Sequence, residues 1–388
     1  YYSHFHRFSA GCEGHMKQQQ DFHRYVASHS RTGRFYAPMA LLHGRCDGWH
    51  AFGNHHPWGW QDKPNGPAEQ SWDLLKVFYP LSKPGDALYI HGCDTDHAVG
   101  YHTGTPMGNV DVIPVESGEE LLARYGALAF LGYHCAGQGD CARLARYVRE
   151  GGSLLLTRAH LSDTTDFEDV AAGRLHEVEN HPFAFCTGAS EYAEGHVNGQ
   201  AVAVCLNAQE PARVLERTDE GYPLVCEYAL GEGRIVLVNA LAFPAHPALR
   251  PLYERCLENL MRERLTREPS WLETGDDVGS AVYAQADGSR HFYLLPVDWY
   301  RPEALIRRAT LRVGENRYEV SMPFGVMIKC VVKGDLAAWP HSEDGEVLEL
   351  TDRGARVQGV GRVRFTIAQA GTVREVEVDF TSSPVQEV

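Results

Sequence analysis

The sequence predicts an α/β layer built on a parallel sheet, followed by a small all-β sandwich. Three observations carry that prediction. Between about residues 110 and 160, short apolar runs alternate with amphipathic segments of helix length, the pattern of parallel strands joined by right-handed crossovers. Beyond about residue 275 the chain turns to short strand-like runs with turn residues every 8 to 12 positions or so, which argues for antiparallel packing. At 388 residues the chain also exceeds one ordinary core, so two or three domains are expected.

Taken in order, residues 16–29 read as a helix with Met16, Phe22, Tyr25 and Val26 on one face. "FYAPMALLHG" is an apolar run bounded by glycine, a buried-strand signal. "AEQSWDLLKVFYP" reads as a short helix stopped by Pro80. "VDVIPV" is a strand, and "SGEELLARY" opens with Ser117 and has Glu120 three residues on, a capping-box pattern. "GALAFLGYH" is a second apolar strand. Asp140 is placed to cap "DCARLARYVREGG", with Leu144, Tyr147 and Val148 on one side and Gly151 and Gly152 ending it. "SLLLT" is a third strand. From residue 199, "QAVAVCL", "ARVLERT" and "PLVCEYALGEGRIVLVNAL" read as strands, with "LGEGR" as a turn. "PALRPLYERCLENLMRERL" then makes a helix with Leu249, Leu252, Tyr253, Cys256, Leu257 and Leu260 on its apolar side. These elements amount to a flavodoxin-like layer over residues 35–265. "TREPSWLETGDD" reads as a polar linker, and the β-sandwich follows within residues 266–388.

Composition narrows the function classes. The apolar fraction is 44% and the charged fraction 22%, ordinary for a soluble globular protein. A net charge of −15 argues against nucleic acid or an anionic membrane as the main partner. No apolar run approaches the roughly 18 residues of a membrane helix. Ten singly scattered cysteines without a C-x-x-C pair fit reduced thiols in a cytoplasmic protein. Tyr1, with neither an initiating Met nor a signal segment, reads as an internal position of a longer chain.

Chemistry-bearing residues gather in four places. "AGCEGHMKQQQDFHRYV" sets Glu13 and His15 on a Gly-flanked turn running into the first helix. "HGRCDGWHAFGNHHPWGW" is an aromatic loop in which Asp47, Trp49, His50, Trp58 and Trp60 suit a glycan rim, the rings stacking on sugar C–H faces and the polar groups taking hydroxyls. Equally open is an aromatic plug packing against another domain. "HGCDTDHAVGYH" clusters His91, Cys93, Asp94, Asp96, His97 and His102, but has no helical H-x-x-x-H, so a polar surface loop is the reading and no metal or other cofactor is assigned. In "GYHCAGQGD" a thiol, Cys135, follows an apolar strand, with His246 far downstream.

A terminal strand and helix, then a flavodoxin-like domain, then a β-sandwich resembles the region after the catalytic barrel in family 42 glycoside hydrolases, the β-galactosidases. On that resemblance "SHFHRFSAGCEGHMKQQQDFHRYVASHSRTGR" corresponds to the last strand and helix of a (β/α)8 barrel, residues 1–34. "FYAPMALLHGRCDGW" corresponds to the first strand of the family's trimerisation domain, which is degenerate and class I glutamine amidotransferase-like. The resemblance implies that Glu13 and His15 contact sugar, and that two catalytic carboxylates lie upstream of this chain. It also implies a carbohydrate substrate and a homo-oligomer. A retaining glycosidase needs two carboxylates about 5 Å apart, and Glu13 is the only carboxylate before residue 21. The alternatives are a non-catalytic carbohydrate-binding or assembly protein, and a cysteine-dependent amidotransferase-like enzyme. Against the last, the spacing from Gly132 to Cys135 is one residue longer than G-x-C-x-G, and Ala248 stands where a His-Pro-Glu motif has Glu.

Overall fold

The computed structural model describes residues 20, 23–24, 27, 33–44, 73–78, 105–132, 134–162, 182–183, 191–208, 210–276, 278–296, 306–323, 327–352 and 354–388. Of the first predicted helix, Gln20, His23, Arg24 and Ala27 are helical and exposed, whereas Met16, Phe22, Tyr25 and Val26 lie outside the described residues.

The run from Phe35 to Gly44 is two strands. β1 (Arg34–Phe35) pairs antiparallel with a strand of the C-terminal half, and β2 (Met39–His43) enters a parallel sheet. Pro38 separates them; it has no N–H to continue a ladder. β2 is joined in that sheet by β3 (Val110–Pro114), β4 (Ala127–Phe130), β5 (Ser153–Thr157), β8 (Arg213–Arg217), β9 (Pro223–Leu230) and β10 (Gly233–Val238). Among the described residues the order is β3-β2-β4-β5-β10-β9-β8, parallel through β10 and antiparallel beyond it. β6 (Tyr192–Val197) and β7 (Gln200–Cys205) form a separate hairpin.

Period-two alternation decides which layer each strand residue joins. Ala40, Leu42, Leu128, Phe130, Leu154 and Leu156 pack under the helices α1 (Glu119–Leu122) and α2 (Gln138–Arg149). Met39, Leu41, Ala127, Ala129 and Leu155 face α3 (Arg250–Thr266) and the 3-10 turn Asp73–Phe78. The predicted apolar side of α3 is the buried one, with Leu252, Tyr253, Leu257, Leu260 and Met261 inside; each such side chain contributes about 1.5–3 kcal/mol by leaving water. The Tyr253 hydroxyl donates to Phe130 O at 2.7 Å.

Two helix starts differ from the sequence reading. Ser117 does not cap α1; its hydroxyl donates to Pro114 O at 2.6 Å, and Gly118 occupies the cap position. A bond back to the strand end competes with capping for the same short side chain. α2 begins at Gln138 rather than at Asp140, whose carboxylate sits on the third helical position and accepts from Gly137 N–H at 3.1 Å.

The predicted polar linker contains strand β11 (Ser270–Thr274), with Trp271 2% exposed. Charged neighbours masked it in the sequence because their groups pair with one another instead of with water. β11 pairs with β14 (Arg307–Val313), and β14 with β15 (Asn316–Met322). A larger antiparallel sheet runs β1, β12 (Val278–Ala284), β13 (Arg290–Pro296), β16 (Ile328–Lys333), β17 (Leu336–Pro340), β20 (Arg362–Gln369), β21 (Thr372–Asp379). The remaining sheet is β18 (Gly345–Thr351), β19 (Gly354–Gly359), β22 (Val385–Glu387). Strands β6, β17 and β22 were not anticipated from sequence. The large sheet packs one face on β11-β14-β15, through Val282, Phe292, Leu294 and Cys330. Its other face, from β16 onward, packs on β18-β19, through Val331, Ala338, Phe365 and Val378. The described chain is therefore mostly β, with several antiparallel sheets and few helices.

Candidate functional site

Glu13, His15, Asp47, Trp49, His50, Trp58 and Trp60 lie outside the described residues, as do His55, His56 and the stretch from His91 to His102. The structure does describe the sheet edge from which the 45–72 segment departs. Strand order reverses between β2 and β4, since β3 lies on one side of β2 and every later parallel strand on the other. In open α/β sheets, ligands sit beyond the carboxyl ends of the strands at such a point.

Here that point is filled by side chains. Gly44 follows β2, and a Cβ built on it would fall 1.9 Å from His134 Nδ1, so only glycine lets the imidazole lie against the backbone. His134 is 1% exposed, and its ring is stacked with Phe130. His160, at the end of β5, stacks on the same Phe130 with 4.4 Å between ring centroids. Its Nδ1 accepts from Thr157 N–H at 2.9 Å, which leaves the proton on Nε2, donated to Gly132 O at 2.6 Å. Burial pulls His160 down to about 3, with the charge of a protonated His134 acting the same way against its hydrogen bonds. This imidazole is neutral and ties strand ends together.

The other groups on this edge are also committed. Arg158 is fully buried, and its Nε donates to Asn239 Oδ1 at 2.5 Å. Asn239 Nδ2 in turn donates to Cys205 O and Pro223 O, at 2.9 and 3.0 Å. Cys135 is 5% exposed and its thiol donates to Ala159 O at 3.5 Å. A thiol held as a donor is protonated, and α2 begins three residues beyond it, at Gln138. His246 Nδ1 accepts from Ala248 N–H at 3.2 Å, and burial lowers its pKa. Sequence reasoning missed His134, His160, Arg158 and Asn239. The signal was present: each follows directly on an apolar strand run, in "LGYHC", "LLLTRAH" and "VLVNAL".

A second polar centre lies where α3 meets the C-terminal sheets. The Glu268 side chain is 1% exposed; Oε1 meets Arg264 at 2.7 Å and Oε2 meets Arg290 at 2.6 Å. The Tyr36 hydroxyl donates to Oε1 at 2.6 Å, and the Arg290 guanidinium lies 4.6 Å over the Tyr36 ring. Burial first, then the bond to Glu268, pushes the Tyr36 phenol up to about 12. Beside this centre runs a cleft of about 770 Å³ between α3 and β11, with Met107, Leu272 and Trp271 among its walls and Glu258, Arg262 and Glu273 among its charges. Among the described residues no group of three or more His, Cys, Asp or Glu could hold a metal ion, and no helix is long and apolar enough to cross a membrane.

No protein-family model matches the sequence, and no curated protein matches it. Solved structures do match, and those named here are glycosidases. Gan42B, a GH42 β-galactosidase from G. stearothermophilus, is 14% identical with a TM-score of 0.40, covering 88% of this chain and 40% of its own. The β-galactosidase of Bacillus circulans sp. alkalophilus is 16% identical with a TM-score of 0.38, covering 76% of this chain and 42% of its own. The α-L-fucosidase isoenzyme 2 of Paenibacillus thiaminolyticus is 10% identical with a TM-score of 0.37, covering 96% and 50%. The chain thus spans about two fifths of the length of these β-galactosidases. Likeness at this level assigns no activity.

Proposed function

We infer that this chain is the non-hydrolytic C-terminal region of a family 42-like glycoside hydrolase, shaping a sugar cleft and assembling subunits. Two catalytic carboxylates would lie on an upstream barrel. The observation that carries this reading is the order of layers along the chain. Counting only the parallel strands in chain order, β3-β2-β4-β5-β10 is the order 2-1-3-4-5 of a flavodoxin-like sheet. It runs over residues 35–265 and is followed by antiparallel sheets within 266–388, the succession expected downstream of such a barrel. The filled switch point supports the same reading, because a layer whose ligand edge is packed with His134, His160 and Arg158 serves as scaffold. Glu13, His15 and the rim Asp47, Trp49, His50, Trp58 and Trp60 would then contact a carbohydrate bound by the barrel. A homo-oligomer remains part of this proposal.

Intact mass of the protein purified from its source is the first test. The reading requires a mass well above the chain's 43.2 kDa. It also requires that residues 1–388 alone release no aryl group from a panel of aryl glycosides, while the longer protein does. Turnover by residues 1–388, or a source protein of about 43 kDa, would sink it. The amidotransferase-like alternative is checked on the same sample: a glutamine-analogue electrophile should leave Cys135 unlabelled in the folded chain, and labelling there would revive that chemistry.

A further inference from the structure

The large C-terminal sheet is covered unevenly. On the face that packs against β18-β19-β22, the apolar core draws on β16, β17, β20 and β21 and takes nothing from β12 or β13. The three strands at the other end, β1, β12 and β13, therefore form a step beside the covering sheet. The floor of the step is aromatic. Phe35 is directly opposite Tyr283 in the ladder, with ring centroids 5.4 Å apart, and Tyr283 meets Tyr293 at 5.7 Å. The rings lie edge to face, so the flanking Phe35 and Tyr293 rings alternate in orientation with Tyr283. Phe35, on the edge strand, is 50% exposed.

The wall of the step is polar. Lys329 is opposite Tyr293, with its Nζ 5.9 Å from the ring centroid, and donates to Glu346 Oε1 at 2.6 Å. Gln358 Nε2 donates to the other Glu346 oxygen at 2.7 Å. The charges on this wall neutralise one another, so it offers directional hydrogen bonds without a net field. His291, paired with Tyr283 across β12 and β13, is held neutral: burial first, then the Lys329 charge, pulls it down to about 4.

We propose that this step is a binding site for a neutral saccharide, separate from the cleft of any upstream barrel. A pyranose has an apolar C–H face and a rim of hydroxyls. The ring floor matches the first, since aromatic side chains supply large contact area at small entropic cost. The Lys329–Glu346–Gln358 wall matches the second, because a paired cation, carboxylate and amide present both donors and acceptors. An anionic partner gains nothing from a wall whose lysine is already neutralised, and an apolar partner would leave that wall's hydrogen bonds dehydrated. The proposal goes beyond the assembly role above and does not depend on where hydrolysis occurs.

The test is affinity electrophoresis of residues 1–388 in native gels holding neutral galactan, mannan or β-glucan, with polygalacturonate as the anionic control. At least one neutral polymer should retard the chain, and Phe35→Ala should weaken that retardation about tenfold, as loss of a central aromatic anchor does. Phe35→Trp should restore it, and Glu346→Gln should weaken it while keeping the thermal midpoint. Should Phe35→Ala fail to fold, the Trp and Gln variants carry the test. The proposal is overturned if no neutral polymer retards the chain, if the variants are retarded equally, or if polygalacturonate retards it more strongly. It is also overturned if light scattering shows a dimer that Phe35→Ala dissociates, since a second copy would then occupy the step. Hydrolysis by a longer protein would be unaffected by any of these results.

Discussion

Glu268→Ala is the perturbation with the largest consequence for the fold. The carboxylate accepts from Arg264, Arg290 and Tyr36, which come from α3, β13 and the segment between β1 and β2. Removing it leaves two guanidinium groups, with side chains 23% and 16% exposed, and one phenol without this acceptor. Breaking a buried pair by deleting one partner costs about 3–5 kcal/mol, because the surviving charge stays desolvated. For a cooperative unit of about 150–250 residues that loss lowers the midpoint by roughly 6–20 °C. Glu268→Gln keeps an acceptor for Tyr36 but not the charge, so it should fall between wild type and Ala. The assay is thermal unfolding followed by tryptophan fluorescence, for which Trp271 is a local reporter: its ring lies 6.4 Å from Tyr36. A Glu268→Ala midpoint within about 2 °C of wild type would refute the reasoning, since it would mean that solvent takes over the freed charges at little cost.

Two further outcomes follow from the buried polar groups. His160 and His291 are held neutral by burial at about 3 and about 4, against 6.5 for an unperturbed imidazole. Their stabilising contribution is complete above about pH 6.5 and is lost as pH falls toward 4 and then 3, because the unfolded chain binds protons first. His160→Gln should therefore flatten the fall of the thermal midpoint across about pH 4 to 7, and an unchanged slope would count against a neutral His160. Gly44→Ala places a methyl 1.9 Å from His134 Nδ1, so it should cost about 1–3 kcal/mol by overpacking. Urea unfolding reads this directly, and a neutral substitution would show that the imidazole has room to move.

The edge of the parallel sheet shows why a candidate site was only partly legible. Cys135 was visible as a strand-to-helix thiol, yet whether it is a nucleophile depends on Ala159 O, brought to it from across the sheet. His160 and Asn239 looked like ordinary polar residues after strands. Their role comes from pairings 28 and 81 residues away in sequence, with Gly132 and Arg158. The proposed saccharide floor was invisible for the same reason. Phe35, Tyr283 and Tyr293 become neighbours only when β1 joins β12 and β13.

What the sequence determined by itself was periodicity and punctuation. "SLLLT" is buried throughout as β5, "GALAF" lies in β4, and α3 turns its expected apolar side inward, because burial preference and period act within a few residues. What only the tertiary structure decided was allegiance. Pro38 divides one apolar run between two sheets, and the polar-looking "SWLET" becomes a strand because Trp271 enters the core while its charged neighbours find partners. Strand pairing and ion pairing are made between residues distant in the chain, and no local pattern encodes which of several compatible partners the packed chain brings near.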